Sequence, residues 1–297
     1  MTFLQGVSLF LLSQGISTIF GESPFYSLMR STSTYIIIVG ALVAYRYYHM
    51  TRNFVFFTCS TFGVFLCIGN LLQIYNNVHL EPGVLYRANG FMPHFNDLAI
   101  VPVLAPFMFT WGLAPALLAM LLGGSRNAIL GSMVVLVFST WRYRWYLLGG
   151  ISSAFMFSHM YHPSGGFITR LGHWALATQM FWERPDIGFG PYTFVDHYFK
   201  AVTTYAKPYG VPLEMNYIPW AHSLYYELLS ERGIFGFVAI LLPLTLCFWH
   251  RNLAAATSAF LIMGIFDLTF LKPWVVVVYF FLLLLGLAEK EYECGMV

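Results

Sequence analysis

The sequence predicts an all-α protein that crosses a membrane many times, and three observations predict it. Apolar residues make up 58% of the 297-residue chain and charged residues only 9%, where a soluble domain carries roughly a quarter charged residues. The apolar residues are gathered into runs of near-membrane length, separated by short polar connections. One stretch departs from this pattern: Met160 to Gly236 is long and polar, and is expected to lie outside the bilayer over a ring of helices.

Taken in order, the first run is Phe3 to Phe20. It carries Gln5, Ser8, Ser13, Gln14 and Ser17 with no basic leader before it, so it reads as a first span and not as a cleaved signal peptide. Further runs follow at Thr34 to Tyr45, Phe54 to Tyr75, Leu98 to Gly123, Ala128 to Trp141, Trp145 to Met160, Ile234 to Trp249, Leu253 to Leu271 and Trp274 to Leu287. The basic connections Arg46 to Arg52, Arg142 to Arg144 and His250-Arg251 each join two runs, and the positive-inside rule assigns them to the cytoplasm. Parity then puts Gly21 to Ser33, Asn76 to Asn96 and Met160 to Gly236 outside. It also requires Leu98 to Gly123 to cross an even number of times, as a hairpin broken by Pro102, Pro106 and Pro115 and bent at Trp111-Gly112. The result is about ten transmembrane helices with both ends inside and Glu289-Lys290-Glu291 in a solvated tail. Three parts follow: N-terminal helices over 1–160, a large outer loop over 161–233 with an interfacial helix, and C-terminal helices with a tail over 234–297.

Four scattered cysteines, Cys59, Cys67, Cys247 and Cys294, have neither disulfide nor zinc spacing. No HExxH pattern or carboxylate run points to a metal, and no Gly-x-Ser-x-Gly elbow points to a serine hydrolase. His159, His162 and His173 with Asp186 or Asp196 are the nearest thing to a ligand set. No metal, cofactor or nucleic acid is expected.

Candidate chemistry concentrates at the outer face. Gly123-Gly124-Ser125-Arg126-Asn127-Ala128 reads as a helix start with Ser125 as N-cap. A cation in the first turn opposes the helix dipole unless an anion neutralises both, so Arg126 points to a bound phosphate. The competing reading is an arginine snorkelling to lipid headgroups. Gly166 to Trp182 has helical period with an aromatic edge, as an interfacial helix does, and places Arg170 on one face with His173 and Trp174. Pro185 ends that helix, Gly188 and Gly190 make a tight turn, and Asp186 and Asp196 face water. His222 stands at the mouth of the returning helix, placed to act as a general base or to hydrogen-bond a transferred oxygen. Glu227 and Glu231 could orient it or pair with Arg232; Glu231 and Arg232 read as an exposed structural pair. Asp267 and Lys272 bracket the outer end of a span and are expected to satisfy each other.

Four pieces occur in order: Asn89-Gly90-Phe91-Met92-Pro93-His94-Phe95-Asn96-Asp97-Leu98-Ala99, Ser125-Arg126-Asn127-Ala128, Arg170-Leu171-Gly172-His173-Trp174 with Pro185-Asp186-Ile187-Gly188-Phe189-Gly190, and Ala221-His222-Ser223-Leu224-Tyr225 through Glu231-Arg232-Gly233-Ile234-Phe235-Gly236. As an ordered set they resemble the O-antigen ligase and O-antigen polymerase family of bacterial envelope glycosyltransferases. Asn127 stands where the family usually has Gly, and Ser223 where it has Asn.

The resemblance implies a C-type glycosyltransferase fold in the bacterial inner membrane with a periplasmic active face. Its donor would be an undecaprenyl-diphosphate-linked glycan and its acceptor a hydroxyl of lipid A-core, of a second lipid-linked glycan, or of a protein. Arg126, Arg170 and Ser125 would bind the diphosphate. His222 would activate the acceptor hydroxyl or assist the departing phosphate, with His173, Trp174, Glu227 and Asn96 in support. A flippase for the same lipid is the alternative of another class. Transporters place ionisable groups near the midplane and show repeated halves; here the candidates sit at one face and no repeat is visible. An assembly protein whose outer segment docks a partner is a third.

Overall fold

The computed structural model describes residues 1–80, 98–108, 110–123, 125–138, 166–211, 213, 220–266, 268, 272–288 and 291, and every regular element among them is a helix. In chain order these are α1 (Phe3–Ile19), α2 (Pro24–Arg30), α3 (Thr32–Arg46), α4 (Tyr48–Leu80), α5 (Ile100–Leu104), α6 (Thr110–Gly123), α7 (Arg126–Phe138), α8 (Gly166–Glu183), α9 (Phe194–Thr203), α10 (Leu224–Thr245), α11 (Arg251–Gly264) and α12 (Pro273–Leu283). Two helical stretches among the described residues, Phe54–Tyr75 and Leu224–Trp249, are long and apolar enough to cross a membrane. The pair α2 and α3, bent by 51°, makes a third if it is one broken span. The outward residues of α4 include Phe54, Phe57, Phe65, Ile68, Leu71 and Leu72, all exposed. Such a surface is unfavourable in water and at home among lipid tails.

The contacts divide the chain into two units: Met1–Tyr45, Ser164–Phe248 and Gly264–Val297 in one, Arg46–Pro163 and Trp249–Met263 in the other. In the first unit α10 packs on α1, α8 and α12. Helix α1 opens with a capping box, in which the Thr2 hydroxyl accepts from the Gln5 amide at 3.2 Å and Gln5 Oε1 accepts from the Thr2 amide at 2.8 Å. The Phe3 amide, another free donor of that helix end, donates to the Glu291 carboxylate, whose second oxygen accepts from the Tyr45 hydroxyl at 2.6 Å. Glu291 therefore does not lie in a solvated tail. It is buried because a carboxylate at a helix N-terminus answers both the unpaired amides and the dipole. Residues 289–290 lie outside the described part of the chain.

Glu231 and Arg232 correct a second expectation. They are not an exposed pair but are buried, each with its own partners. Gln14 Oε1 of α1 accepts from Arg232 Nε at 3.1 Å and Nη2 at 2.9 Å, and Gln14 Nε2 donates to Ser31 Oγ at 2.6 Å. A guanidinium out of water needs such acceptors, since an unsolvated charge is costly.

In the second unit α4 packs along α6 at backbone distance. A Cβ on Gly63 would stand 2.4 Å from the Gly112 carbonyl oxygen, and one on Gly112 would stand 2.3 Å from Ser60 Cα. Asn70 Nδ2 closes the seam by donating to the Ala119 carbonyl at 2.7 Å. Small residues at the crossing with one polar tie are how helices associate where lipid removes the hydrophobic drive. Gly112 is thus a contact and not a bend. The expected break of Leu98 to Gly123 falls earlier, where α5 runs into a 3₁₀ turn at Ala105–Phe107 and Met108 turns extended (φ −103°, ψ 141°). Trp111 and Gly112 lie inside α6, as does Pro115. Helix α7 packs on α5, and a Cβ on Gly131 would stand 2.4 Å from the Met263 sulfur of the α11 segment.

Candidate functional site

The outer residues of the first unit are organised by a break in α10. Gly233 has φ 63° and ψ −168°, a conformation open to glycine and strained for any other residue, and it interrupts the helical hydrogen bonding. The segment after α8 takes up the groups thus released. Before the break, the carbonyls of Ser230 and Glu231 accept from Phe189 N at 3.1 Å and Gly190 N at 2.9 Å. After it, Ile234 N and Phe235 N donate to the Pro185 and Asp186 carbonyls at 2.8 Å and 3.3 Å. Gly188 and Gly190 have positive φ, as the tight turn requires, and a Cβ on Gly188 would stand 2.3 Å from the Glu231 carbonyl carbon. The Glu231 carboxylate then accepts from Tyr192 N at 2.8 Å and Phe194 N at 3.1 Å, fixing the start of α9. The two glycine-bearing motifs therefore form a single clamp, which holds the end of α8 against α10. Asp186 and Asp196 are exposed, as expected.

That clamp sets α8 beside the segment entering α10. The shared core is Leu176, Ala177 and Met180 of α8 with Phe194, Tyr198 and Ala221, all buried. One turn toward the start of α8, two ring stacks join the elements. Trp174 lies on Tyr226 with centroids 5.3 Å apart and planes 16° from parallel, and His173 lies on His222 at 5.3 Å and 20°. Tyr198 presents its ring to His173 edge-on at 5.2 Å.

His173 is buried in this box, and among the described residues neither of its ring nitrogens has a hydrogen-bond partner. Burial first, then the neighbouring His222 and Arg170, push its pKa down from 6.5 to about 3, so the ring is neutral. Arg170, half-buried one turn earlier, is close enough to act on His173 electrostatically. Among the described residues it makes no hydrogen bond or ion pair.

His222 has φ 54°, in the left-handed region that a non-glycine residue enters at a cost. This turn brings its Nδ1 to 3.1 Å from Trp220 Nε1. Over the Trp220 ring, 5.0 Å from its centroid, stands Lys272 Nζ at the N-cap of α12. Ser223, the N-cap of α10, uses its hydroxyl to donate to the Gly264 carbonyl at 3.3 Å. Glu227 is buried in the first turn of α10.

The structure thus brings together Arg170, His173, Trp174 and His222. Ser125 and Arg126 belong to the second unit. There Ser125 caps α7 as expected, its Oγ accepting from Ala128 N at 3.3 Å, and Arg126 is the first residue of the helix; the Arg126 side chain lies outside the described part of the structure. Asn127 ties α7 to the Met263 carbonyl through Nδ2 at 3.3 Å. Asn96, His159, His162 and Asp267 lie outside the described residues. Sequence reasoning missed Trp220, although it stands two residues before His222, and the Lys272 contact with its ring; the expected pairing of Lys272 with Asp267 falls outside the described residues.

No family model matches the chain, and a search of curated proteins finds no match to it.

Proposed function

We propose that the chain is a multi-pass glycosyltransferase of the bacterial inner membrane, of the O-antigen ligase type. It moves a glycan from undecaprenyl diphosphate to a lipid A-core hydroxyl, without a metal. In this reading about ten helices cross the bilayer and the segment from Met160 to Gly236 faces the periplasm. Arg170 binds the diphosphate and stabilises the charge that grows on it as the glycosidic bond breaks, the task a divalent cation performs elsewhere; a phosphate-binding role for Arg126 rests on its place at a helix start alone. Ser125 sets the helix end that carries Arg126. His222 stands at the reacting oxygens.

The observation that carries this reading is Arg170: a half-buried guanidinium with no anionic or hydrogen-bonding partner among the described residues, one turn from a neutral histidine stacked on His222. A cation so placed is suited to an external anion, and its fork matches two phosphate oxygens.

The test is glycan transfer in membranes from a host lacking its own ligase. Arg170→Ala is expected to lower transfer by about 100-fold or more at unchanged protein level, as loss of a charge-assisted bidentate contact predicts, and Arg170→Lys to recover part of it. Wild-type rates in Arg170→Ala would remove the proposal. The product separates the acceptors. Glycan on lipid A-core marks a ligase, a ladder on the carrier lipid a polymerase, glycan on protein an oligosaccharyltransferase, and carrier turned over without transfer a flippase.

A further inference from the structure

We infer that α2 and the turn before it are seated in the bilayer, with Phe25, Leu28 and Met29 in the boundary between lipid headgroups and acyl chains, and that this seat carries α9 and the clamp at the membrane surface. The inference rests on the chain being a membrane protein and is independent of the transferase reading.

Helix α2 divides its residues by period. Phe25, Leu28 and Met29, spaced i, i+3 and i+4, are exposed. Ser27 and Ser31 on the opposite side are buried, and Arg30 between them turns inward to donate from Nη1 to the Tyr192 carbonyl at 2.7 Å. Ile19 and Phe20, just before the turn, extend the outward face, whose five large side chains are 49% to 76% exposed. The same inversion holds in the flanking helices. Ser13, Gln14 and Ser17 of α1 and Thr34 of α3 are buried, whereas Leu12 and Ile16 of α1 and Ile36, Val39 and Val43 of α3 are exposed. Water favours the opposite distribution. A protein partner would cover one patch. Here the apolar surface continues from the corner onto both flanking helices, and α2 with α3 forms a bent apolar stretch of membrane length, so lipid is the occupant that fits.

The two charges of the corner, Glu22 and Arg30, both turn toward α9 and away from the apolar side. The Glu22 carboxylate lies 2.7 Å from His197 Nε2, and the Glu22 amide donates to the Phe189 carbonyl at 2.8 Å. The Arg30 guanidinium also stands 3.6 Å from the centroid of the Tyr26 ring and 3.9 Å from the Asp196 carboxylate. Thr34 and Tyr192 join their hydroxyls at 2.8 Å. Gly21 permits the approach, since a Cβ there would stand 2.7 Å from the Phe189 carbonyl oxygen and 2.9 Å from Gly190 Cα. Phe189, Gly190 and Tyr192 belong to the clamp. Whatever depth α2 takes in the membrane, the clamp and the start of α9 take with it, and the partnered charges leave an apolar face that enters lipid without burying an ion.

The experiment measures depth in the full chain, reconstituted in bilayers of phosphatidylcholine and phosphatidylglycerol, with Cys294 changed to serine and a fluorophore on one introduced cysteine; Cys59, Cys67 and Cys247 are buried. In Phe25→Cys, and in Met29→Cys on the same face, nitroxides on the lipid acyl chains are expected to quench the probe several-fold more than iodide in the water does. In Asp196→Cys, beside Arg30, iodide and nitroxides on the lipid headgroups are both expected to quench. Probes at positions 25 and 29 as open to iodide as the one at 196 overturn the inference. So do probes shielded from iodide and lipid alike, the sign of a second copy or another protein on that face. A probe at 196 that iodide reaches and headgroup nitroxides do not would show α9 standing clear of the membrane, and the seat would carry nothing. Each reading is independent of glycan transfer, so a chain that proves to be no transferase is decided by the same measurements.

Discussion

His173 shows how one buried side chain can shape a site without touching a substrate. Its imidazole occupies an aromatic box with no partner for either ring nitrogen among the described residues, which is costly for a polar group and tolerable only while the ring is neutral. The consequence is a dependence of stability on pH with a definite sign. The unfolded chain takes up a proton on this residue below its ordinary pKa of 6.5, whereas the folded chain resists until about 3. The stabilisation is therefore complete above pH 6.5 and drains away as the pH falls toward 3. Replacing the ring with an uncharged one of similar shape removes this contribution. His173→Phe is expected to match or exceed the wild-type melting temperature at about pH 7 and to lead by a growing margin down to about pH 4. Thermal melts in detergent across that range measure it, and parallel curves for the two proteins would show that His173 is not held neutral by the fold.

At the scale of elements, the break in α10 explains why two motifs far apart in the chain occur together. Gly233 releases backbone groups, and the segment from Pro185 to Gly190 satisfies them on both sides of the break. A Cβ on Gly233 would stand 2.3 Å from the Asp186 carbonyl oxygen, in a conformation that an L side chain scarcely adopts. Gly233→Ala should therefore cost about 3 kcal/mol or more, the sum of backbone strain and a steric clash. Glu231→Ala would strip the acceptor from the buried Tyr192 and Phe194 amides, at about 2 to 5 kcal/mol for two unsatisfied donors. Either variant should accumulate poorly and lose α8 from α10, which protease sensitivity near Arg184 would register. Gly233→Ala at wild-type abundance and protease resistance would mean that the clamp is dispensable. The local parts of this arrangement were legible in the sequence: the extent of α8, its end before Pro185, the turn at Gly188 and Gly190, and the Ser125 cap all follow from nearest neighbours. Glu231, Arg232 and Glu291 were misread because their partners stand 37 to 288 residues away, and charge in a local window cannot distinguish a solvated carboxylate from one that caps a distant helix. Gly112 failed for a related reason: a glycine that admits a neighbouring backbone and a glycine that bends a chain look alike in one dimension.

For the whole molecule, the proposed function depends on which side of the membrane carries α8 and α9. The positive-inside rule leads one to expect the basic connections around Arg46–Arg52 and at Arg251 in the cytoplasm, because moving lysine and arginine across the bilayer is what insertion resists. With the expected number of crossings, the segment with Arg170 and His222 would lie on the opposite side, which the proposed reaction requires. Reporter cysteines can read this directly. Cys59, Cys67 and Cys247 are buried, so with Cys294 changed to serine the background against a membrane-impermeant maleimide is expected to be low. Asp196 is half-exposed on α9 and its carboxylate is 3.9 Å from Arg30, a surface pair that contributes little; Asp196→Cys should therefore fold and label in intact spheroplasts. Arg251 is exposed at the start of α11, and Arg251→Cys should label only once the membrane is opened. The reverse pattern would put the candidate site in the cytoplasm. A transferase acting on periplasmic glycans would then be excluded even if every arginine and histidine substitution abolished activity, because the same chemistry on the wrong face has no donor to act upon.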